Sequence, residues 1–119
     1  MDSLKSYREL IVWQKSMNSV TMIYNFTKSY PKEEMFGLTS QLRRASVSIP
    51  ANIAEGQARN TTGEFRQFLG IARGSLAELE TLIILSLNLN YLNSENSELL
   101  LANCMEVSKM INGLIKSIK

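Results

Sequence analysis

Gln41, Arg44, Ser48, Asn52, Glu55 and Arg59 recur at steps of three or four residues. That spacing puts all six in one line on a helix. A face open to water usually carries a mixture of Lys and Glu. Gln, Ser and Asn interleaved with Arg and Glu suit a hydrogen-bonded network, a subunit contact or a charged ligand, with a solvated face as the competing reading. Arginine is the informative member, because its planar donors grip phosphate at two points and its face stacks on bases. Arg43, Arg59, Arg66 and Arg73 are therefore the candidates for contact with nucleic acid or a protein partner, the competing reading for each being a salt bridge to a neighbouring glutamate. Gln41, Arg44, Ser48, Asn52 and Glu55, joined by Glu78 from the next segment, are the candidates for a structural polar network.

Catalysis finds little support in the same residues. The chain has no histidine, so it lacks the usual general base near neutral pH and the Glu-x-x-His pairs that hold metals inside catalytic bundles. No metal site and no cofactor are expected. Gly56, Gly63, Gly70 and Gly74 do not have the spacing of a phosphate-cradling or dinucleotide loop. Glu55, Glu78 and Glu80 are expected to keep company with arginines rather than form a carboxylate cluster. Cys104 falls on an apolar stripe, where a buried inert thiol is expected rather than a nucleophile. The sequence reads as a non-enzymatic protein.

Bulk properties narrow the partners. With 119 residues and 45% hydrophobic content, residues 1–119 fit one domain with its own core. The 13 basic and 11 acidic residues leave a net charge of +2, well short of a protein that coats nucleic acid. The charge is uneven, however. Arg43, Arg44, Arg59, Arg66 and Arg73 outnumber Glu55 and Glu64 in the middle of the chain, and acids outnumber bases after Arg73. A single cysteine excludes an internal disulfide, and no secretion signal is read at the N-terminus, so a cytoplasmic location is expected. The densest apolar run, Leu82 to Leu92, is broken by Ser86, Asn88 and Asn90 and is too short to span a membrane.

Periodicity supplies the elements that must position these residues. A first helix carries Leu10, Trp13, Met17, Val20, Tyr24 and Thr27 on its expected core face and stops before Pro31. A second, from about Glu33, carries Leu38, Leu42, Ala45, Ile49, Ile53 and Gly56. Pro50 deprives the Ser46 carbonyl of its usual donor, which predicts a kink in this helix. Thr61 followed by Glu64 forms a capping box that opens a third helix, with Phe65, Leu69, Ala72, Leu76, Leu79, Ile83 and Leu87 inward. A fourth, from about Ser94 or Asn96, carries Leu100, Cys104, Val107, Ile111, Leu114 and Ile118. Short connections between four such helices predict an all-α, up-down-up-down antiparallel four-helix bundle.

In that arrangement Arg43 and Arg44 should face Glu78 and Glu80, and Ser48 or Asn52 should face Arg73 or Leu69. Gly70 and Gly74, with Ala77 beyond them, predict close approach of a neighbouring helix. The third helix also carries Phe68, Ile71, Leu82, Ile84, Leu85 and Leu89 outside its stripe. Such a surplus predicts a homo-oligomer.

The segment LTSQLRRASVSIPANIAEGQAR, from Leu38 to Arg59, together with EFRQFLGIARGSLAELE, from Glu64 to Glu80, resembles the small bacterial four-helix bundle proteins encoded in intervening sequences of the large-subunit (23S) ribosomal RNA gene. Trp13 in VWQKS and the Tyr30-Pro31-Lys32-Glu33 turn agree with it as well, so the likeness covers most of the chain. The resemblance implies a four-helix bundle and a pentameric ring. It extends to accessory proteins of diversity-generating retroelements, which associate with a reverse transcriptase and with RNA. The positions that match are Gln41, Arg43, Arg44, Ser48, Pro50, Asn52, Glu55, Gly56, Arg59, Phe68, Leu69, Arg73, Gly74, Ser75 and Glu78. What this implies is an oligomeric scaffold for RNA or a ribonucleoprotein partner. The alternative is a purely protein–protein interaction module.

Overall fold

The computed structural model describes residues 6–118. Four helices carry the chain: α1 (Ile11–Thr27), α2 (Leu38–Gln57), α3 (Thr62–Asn88) and α4 (Ser94–Ser117), with 3₁₀ turns at Tyr7–Glu9 and Lys32–Glu34. No strand occurs among the described residues. None of the helices is long and apolar enough to cross a membrane.

Local chemistry sets the helix ends. Thr61 and Glu64 form the reciprocal capping box that opens α3, each side chain meeting the other's backbone N–H. Asn93 caps α4 by accepting from the Asn96 N–H at 2.7 Å. Asn90, at φ 65°, takes the left-handed turn that ends α3, a conformation Asn tolerates better than most residues. The second helix starts at Leu38 rather than near Glu33. Gly37 interrupts the helical backbone there with φ −117° and ψ −113°, and the Glu34 carboxylate turns back to accept from the Leu38 N–H at 3.0 Å. Its other oxygen accepts from the Tyr91 hydroxyl at 3.0 Å, tying the start of α2 to the α3–α4 connection. From Leu38 onward α2 runs unbroken through Pro50.

Cross-helix pairs give the helix directions. Ser48 meets Ser75, while Gly56, further along α2, meets Phe68, earlier in α3. Arg73 reaches Asn112 and Arg66 reaches Ile118; Ser19 reaches Asn103 and Lys15 reaches Glu106. In each pair of helices the partners run in opposite directions. α1 packs on α2 and α4, and α3 packs on the same two, so the α1–α2 and α3–α4 sides form opposite walls.

The core between them holds Ile23, Leu42, Ile49, Ile53, Leu69, Leu79, Ile83, Val107 and Ile111, all essentially sealed from solvent. Each such side chain contributes about 1.5–3 kcal/mol on burial. The α3 and α4 interiors follow the expected stripes closely, although Phe65, Leu87, Leu114 and Ile118 are only half-buried. The α1 interior does not. It is made by Val12, Ser16, Ser19, Ile23 and Thr27, and Met17 and Tyr24 lie 42% and 40% exposed. Ser16 donates to the Trp13 carbonyl at 2.9 Å and Ser19 to that of Lys15 at 3.2 Å. The Ser19 hydroxyl also reaches the Asn103 side-chain oxygen on α4 at 2.5 Å, so with one hydroxyl satisfied by its own helix and the other shared with α4, the two serines act as small spacers and allow α1 to sit close to the bundle.

The glycines also depart from expectation. A Cβ on Gly70 or Gly74 would meet nothing within 4 Å, whereas one on Gly56 would fall 2.6 Å from the Phe68 Cβ. Gly56 is the close-approach residue of the α2–α3 contact, and Gly70 and Gly74 lie on open surface.

Candidate functional site

The polar line of α2 divides into three environments. At its centre Ser48 and Ser75 share a hydrogen bond of 2.7 Å across the α2–α3 contact, and the Asn52 amide donates to the Ser48 carbonyl at 2.8 Å and to its hydroxyl at 3.0 Å. Ser48 and Asn52 thus face Ser75, rather than Arg73 or Leu69. Toward the start of α2, Gln41, Arg44, Ser48 and Glu78 line a cleft of about 390 Å³ with Phe36 and Ser40 at its edge. Arg44 and Glu78 share that cleft, but no hydrogen bond or ion pair joins them among the described residues. Toward its end, Arg59 pairs with Glu55 at 2.8 Å, approaches Glu64 at 3.9 Å and lies over the Phe68 ring at 4.8 Å. The α2–α3 face is therefore close to charge balance.

Arg43 faces the other way. Its Nε donates to the Thr27 hydroxyl at 3.0 Å and its guanidinium lies 4.5 Å over the Tyr24 ring, both on α1. It does not meet Glu78 or Glu80, because its place on α2 turns it toward the α1–α2 wall.

Arg66 and Arg73 come together on the α3–α4 wall. Two turns apart on one face of α3, they flank the open backbone of Gly70. Arg73 donates to the Asn112 side-chain oxygen at 3.0 Å, and Arg66 donates to the Ile118 carbonyl. Asn112 lies between Lys109 and Lys116 on one face of α4, and both lysines are exposed. Both arginines are thus held by neutral acceptors, which fix their direction and leave their charge uncancelled. Arg66, Arg73, Lys109 and Lys116 form a basic strip along this wall. Glu80 follows two turns beyond Arg73, and past it Ile84 on α3 and Met105, two turns before Asn112 on α4, are exposed.

Cys104 is buried in the core, and that burial, reinforced by the nearby Glu80 charge, pushes its thiol up to about 12. It stays protonated at neutral pH and has no nucleophile's character.

Residues 8–113 match the family described as 23S rRNA-intervening sequence protein. The chain belongs to that family. A protein of unknown function from Bacteroides thetaiotaomicron, of the S23 ribosomal protein family, has a solved structure similar to this member's, with 26% identity and a TM-score of 0.82. The likeness covers 90% of this chain and 100% of that one. No curated protein matches the chain. The family match takes in α1, α2, α3 and most of α4, and with them every arginine of the two walls; Lys116 and Ile118 fall beyond it.

The two lysines of the strip were not singled out from the sequence. Their signal was present in the spacing of Lys109, Asn112 and Lys116, but nothing in the sequence paired that face with Arg66 and Arg73.

Proposed function

We propose that this family member is a non-enzymatic, cytoplasmic scaffold that assembles with copies of itself and grips the sugar–phosphate backbone of RNA along the α3–α4 wall. The observation that carries this reading is the basic strip, in which Arg66 and Arg73 are oriented by neutral partners beside Lys109 and Lys116. An arginine held by a carboxylate has little attraction left for phosphate, and one held by a carbonyl or amide keeps it. In an assembly the strip repeats once per subunit, which offsets the modest net charge of a single chain. Electrophoretic shift of the intact oligomer on single-stranded RNA tests the reading. Affinity should fall steeply with salt as counterions are released, and Arg66→Gln with Arg73→Gln should flatten that slope by about 2. No shift at low salt would remove it.

A second reading, a protein–protein module, is favoured by the two apolar patches. Met17, Tyr24 and Val47 lie on the α1–α2 wall, and Ile84 and Met105 on the α3–α4 wall. Two different patches on opposite walls suit a head-to-tail contact, which closes into a ring when the rotation allows. The pentamer implied by the motif resemblance is such a ring, and a reverse-transcriptase-like protein is the partner that the same resemblance implies. Native mass spectrometry separates the readings, since it counts subunits and detects nucleic acid that travels with them.

A further inference from the structure

Arg43 takes no part in the strip, yet it is held from two sides by α1. The Nε of Arg43 is fixed by the Thr27 hydroxyl, which itself donates to the Ile23 carbonyl at 2.7 Å, and its guanidinium is stacked on Tyr24. No acidic residue pairs with it among the described residues, so its two terminal nitrogens are oriented and uncommitted. Arg43 lines a recess of about 280 Å³ where α1 hands over to α2, together with Thr27, Lys28, Tyr30, Lys32 and Thr39 among others.

Three cations therefore line one recess, and no acid does. Of the two acids that follow Lys32 in the chain, Glu33 is exposed and does not line the recess, and Glu34 is committed through both oxygens to the Leu38 N–H and the Tyr91 hydroxyl. A second observation concerns Thr39. Its side chain is 94% buried, by its 6% exposure, and its hydroxyl has no hydrogen-bond partner among the described residues. A buried hydroxyl left unsatisfied calls for an explanation, an unseen partner being the ordinary one. Thr39 and Arg43 line the same recess.

We infer that this recess is a phosphate site, in which the terminal nitrogens of Arg43 grip two phosphate oxygens, Lys28 and Lys32 neutralise the remaining charge, and the Thr39 hydroxyl donates to a third oxygen. Three cations around a recess of this size favour a phosphate carrying two charges over a chain phosphodiester carrying one. The group is therefore either free phosphate or the terminal phosphate of a strand. Recognition of phosphate stands on this geometry alone; a strand terminus as its source rests on the RNA reading above.

The test is a titration of the full-length protein with inorganic phosphate at constant ionic strength, followed by amide and arginine Nε resonances in NMR. Saturable shifts are expected at Thr39, Arg43 and Lys32, with chloride at the same ionic strength giving none. Arg43→Gln should weaken binding by about tenfold or more, and Thr39→Val, which keeps the shape and removes the hydroxyl, by about fivefold. The surface double variant Lys28→Gln with Lys32→Gln leaves the core untouched and should weaken it about tenfold, which keeps the test valid if Arg43→Gln fails to fold. Absence of saturation up to about 10 mM phosphate, or equal affinity in wild type and the lysine double variant, overturns the inference. Oligonucleotides of one sequence with a 5′-phosphate or a 5′-hydroxyl then identify the source. A preference for the phosphorylated strand that disappears in the lysine double variant assigns the strand end, and equal binding of the two strands beside saturable inorganic phosphate assigns the free ion. If no strand binds at all, the RNA reading fails while the phosphate titration still decides the recess.

Discussion

Gly56 and Phe68 meet across the α2–α3 contact, with 2.6 Å between the Phe68 Cβ and the place a Cβ on Gly56 would occupy. The Phe65 ring stands 3.1 Å from the same place. A methyl group there meets a side-chain root that cannot swing aside, so the helices themselves must move apart. Gly56→Ala should therefore destabilise the protein by about 1–3 kcal/mol, the usual range for overpacking, despite the better helix propensity of alanine. Chemical denaturation of the two proteins measures it, and an unchanged midpoint would show that the contact yields freely.

Gly70 and Gly74 reverse that expectation. A Cβ at either meets open space, so Gly70→Ala and Gly74→Ala should each stabilise a dilute sample by about 0.5–1 kcal/mol through the lower backbone entropy of the unfolded chain. Thermal melts at low protein concentration read this out. Destabilisation by the same substitutions would place another chain against that surface.

The polar line of α2 predicts unequal losses. Asn52 makes two hydrogen bonds and Ser75 meets Ser48 across the helix contact, so Asn52→Ala and Ser75→Ala should each cost about 1 kcal/mol. Arg44 is exposed and has no partner among the described residues, so Arg44→Ala should change stability by less than about 0.5 kcal/mol. Urea melts of the three variants decide it; a large loss at Arg44 and none at Asn52 would invert the assignment.

The capping box was readable from two residue types three positions apart, and so was most of the α3 and α4 interiors, although Leu82, expected outside the stripe, is buried with Ser86 while Ile84, Leu85 and Leu89 stay exposed. The α1 interior was not. Ser16 and Ser19 read as polar in any periodicity, because a sequence does not say that a hydroxyl will find its partner inside the bundle, on its own helix or on α4, and count as a small filler. By spacing alone Met17 and Tyr24 complete a stripe that the fold leaves half outside. The same limit applies to the arginines. Their type announces anion binding or ion pairing, but which wall each occupies depends on helix rotation. Arg43 and Arg44 are neighbours in sequence and face different walls, one stacked on Tyr24 and the other beside the Glu78 cleft. Lys109 and Lys116 became part of a site only when Asn112 was seen to hold Arg73.

Thr61 gives a prediction independent of tertiary packing. Its hydroxyl accepts from the Glu64 N–H at 3.1 Å and its own N–H is met by the Glu64 carboxylate at 3.2 Å. Thr61→Ala breaks the first bond and loosens the second, at a cost of about 1 kcal/mol. Because the cap lies at the α2–α3 turn, hydrogen exchange should quicken in the first turn of α3 before it does at Leu76 or Leu79. Uniform acceleration along α3 would argue that the cap is coupled to the whole helix.

Cys104 makes stability depend on alkaline pH, and the sign can be worked out. In the unfolded chain the thiol ionises near its ordinary value of 9.0, while in the fold burial and the Glu80 charge hold it protonated to about 12. Between those values the unfolded state binds fewer protons than the native state, so stability falls as pH rises, by up to about 1.4 kcal/mol per pH unit from this group. Below pH 9 the two states carry the same proton and the contribution is flat. Other groups titrate in the alkaline range too, so the quantity to measure is the difference between wild type and Cys104→Ala in denaturant midpoints from pH 8 to pH 10. Wild type should lose stability faster above pH 9, and a thiol reagent at pH 8 should label Cys104 only as the protein unfolds. Rapid labelling of the native protein, or parallel pH profiles for the two chains, would mean that the thiol reaches water and that the α4 core is open at that point.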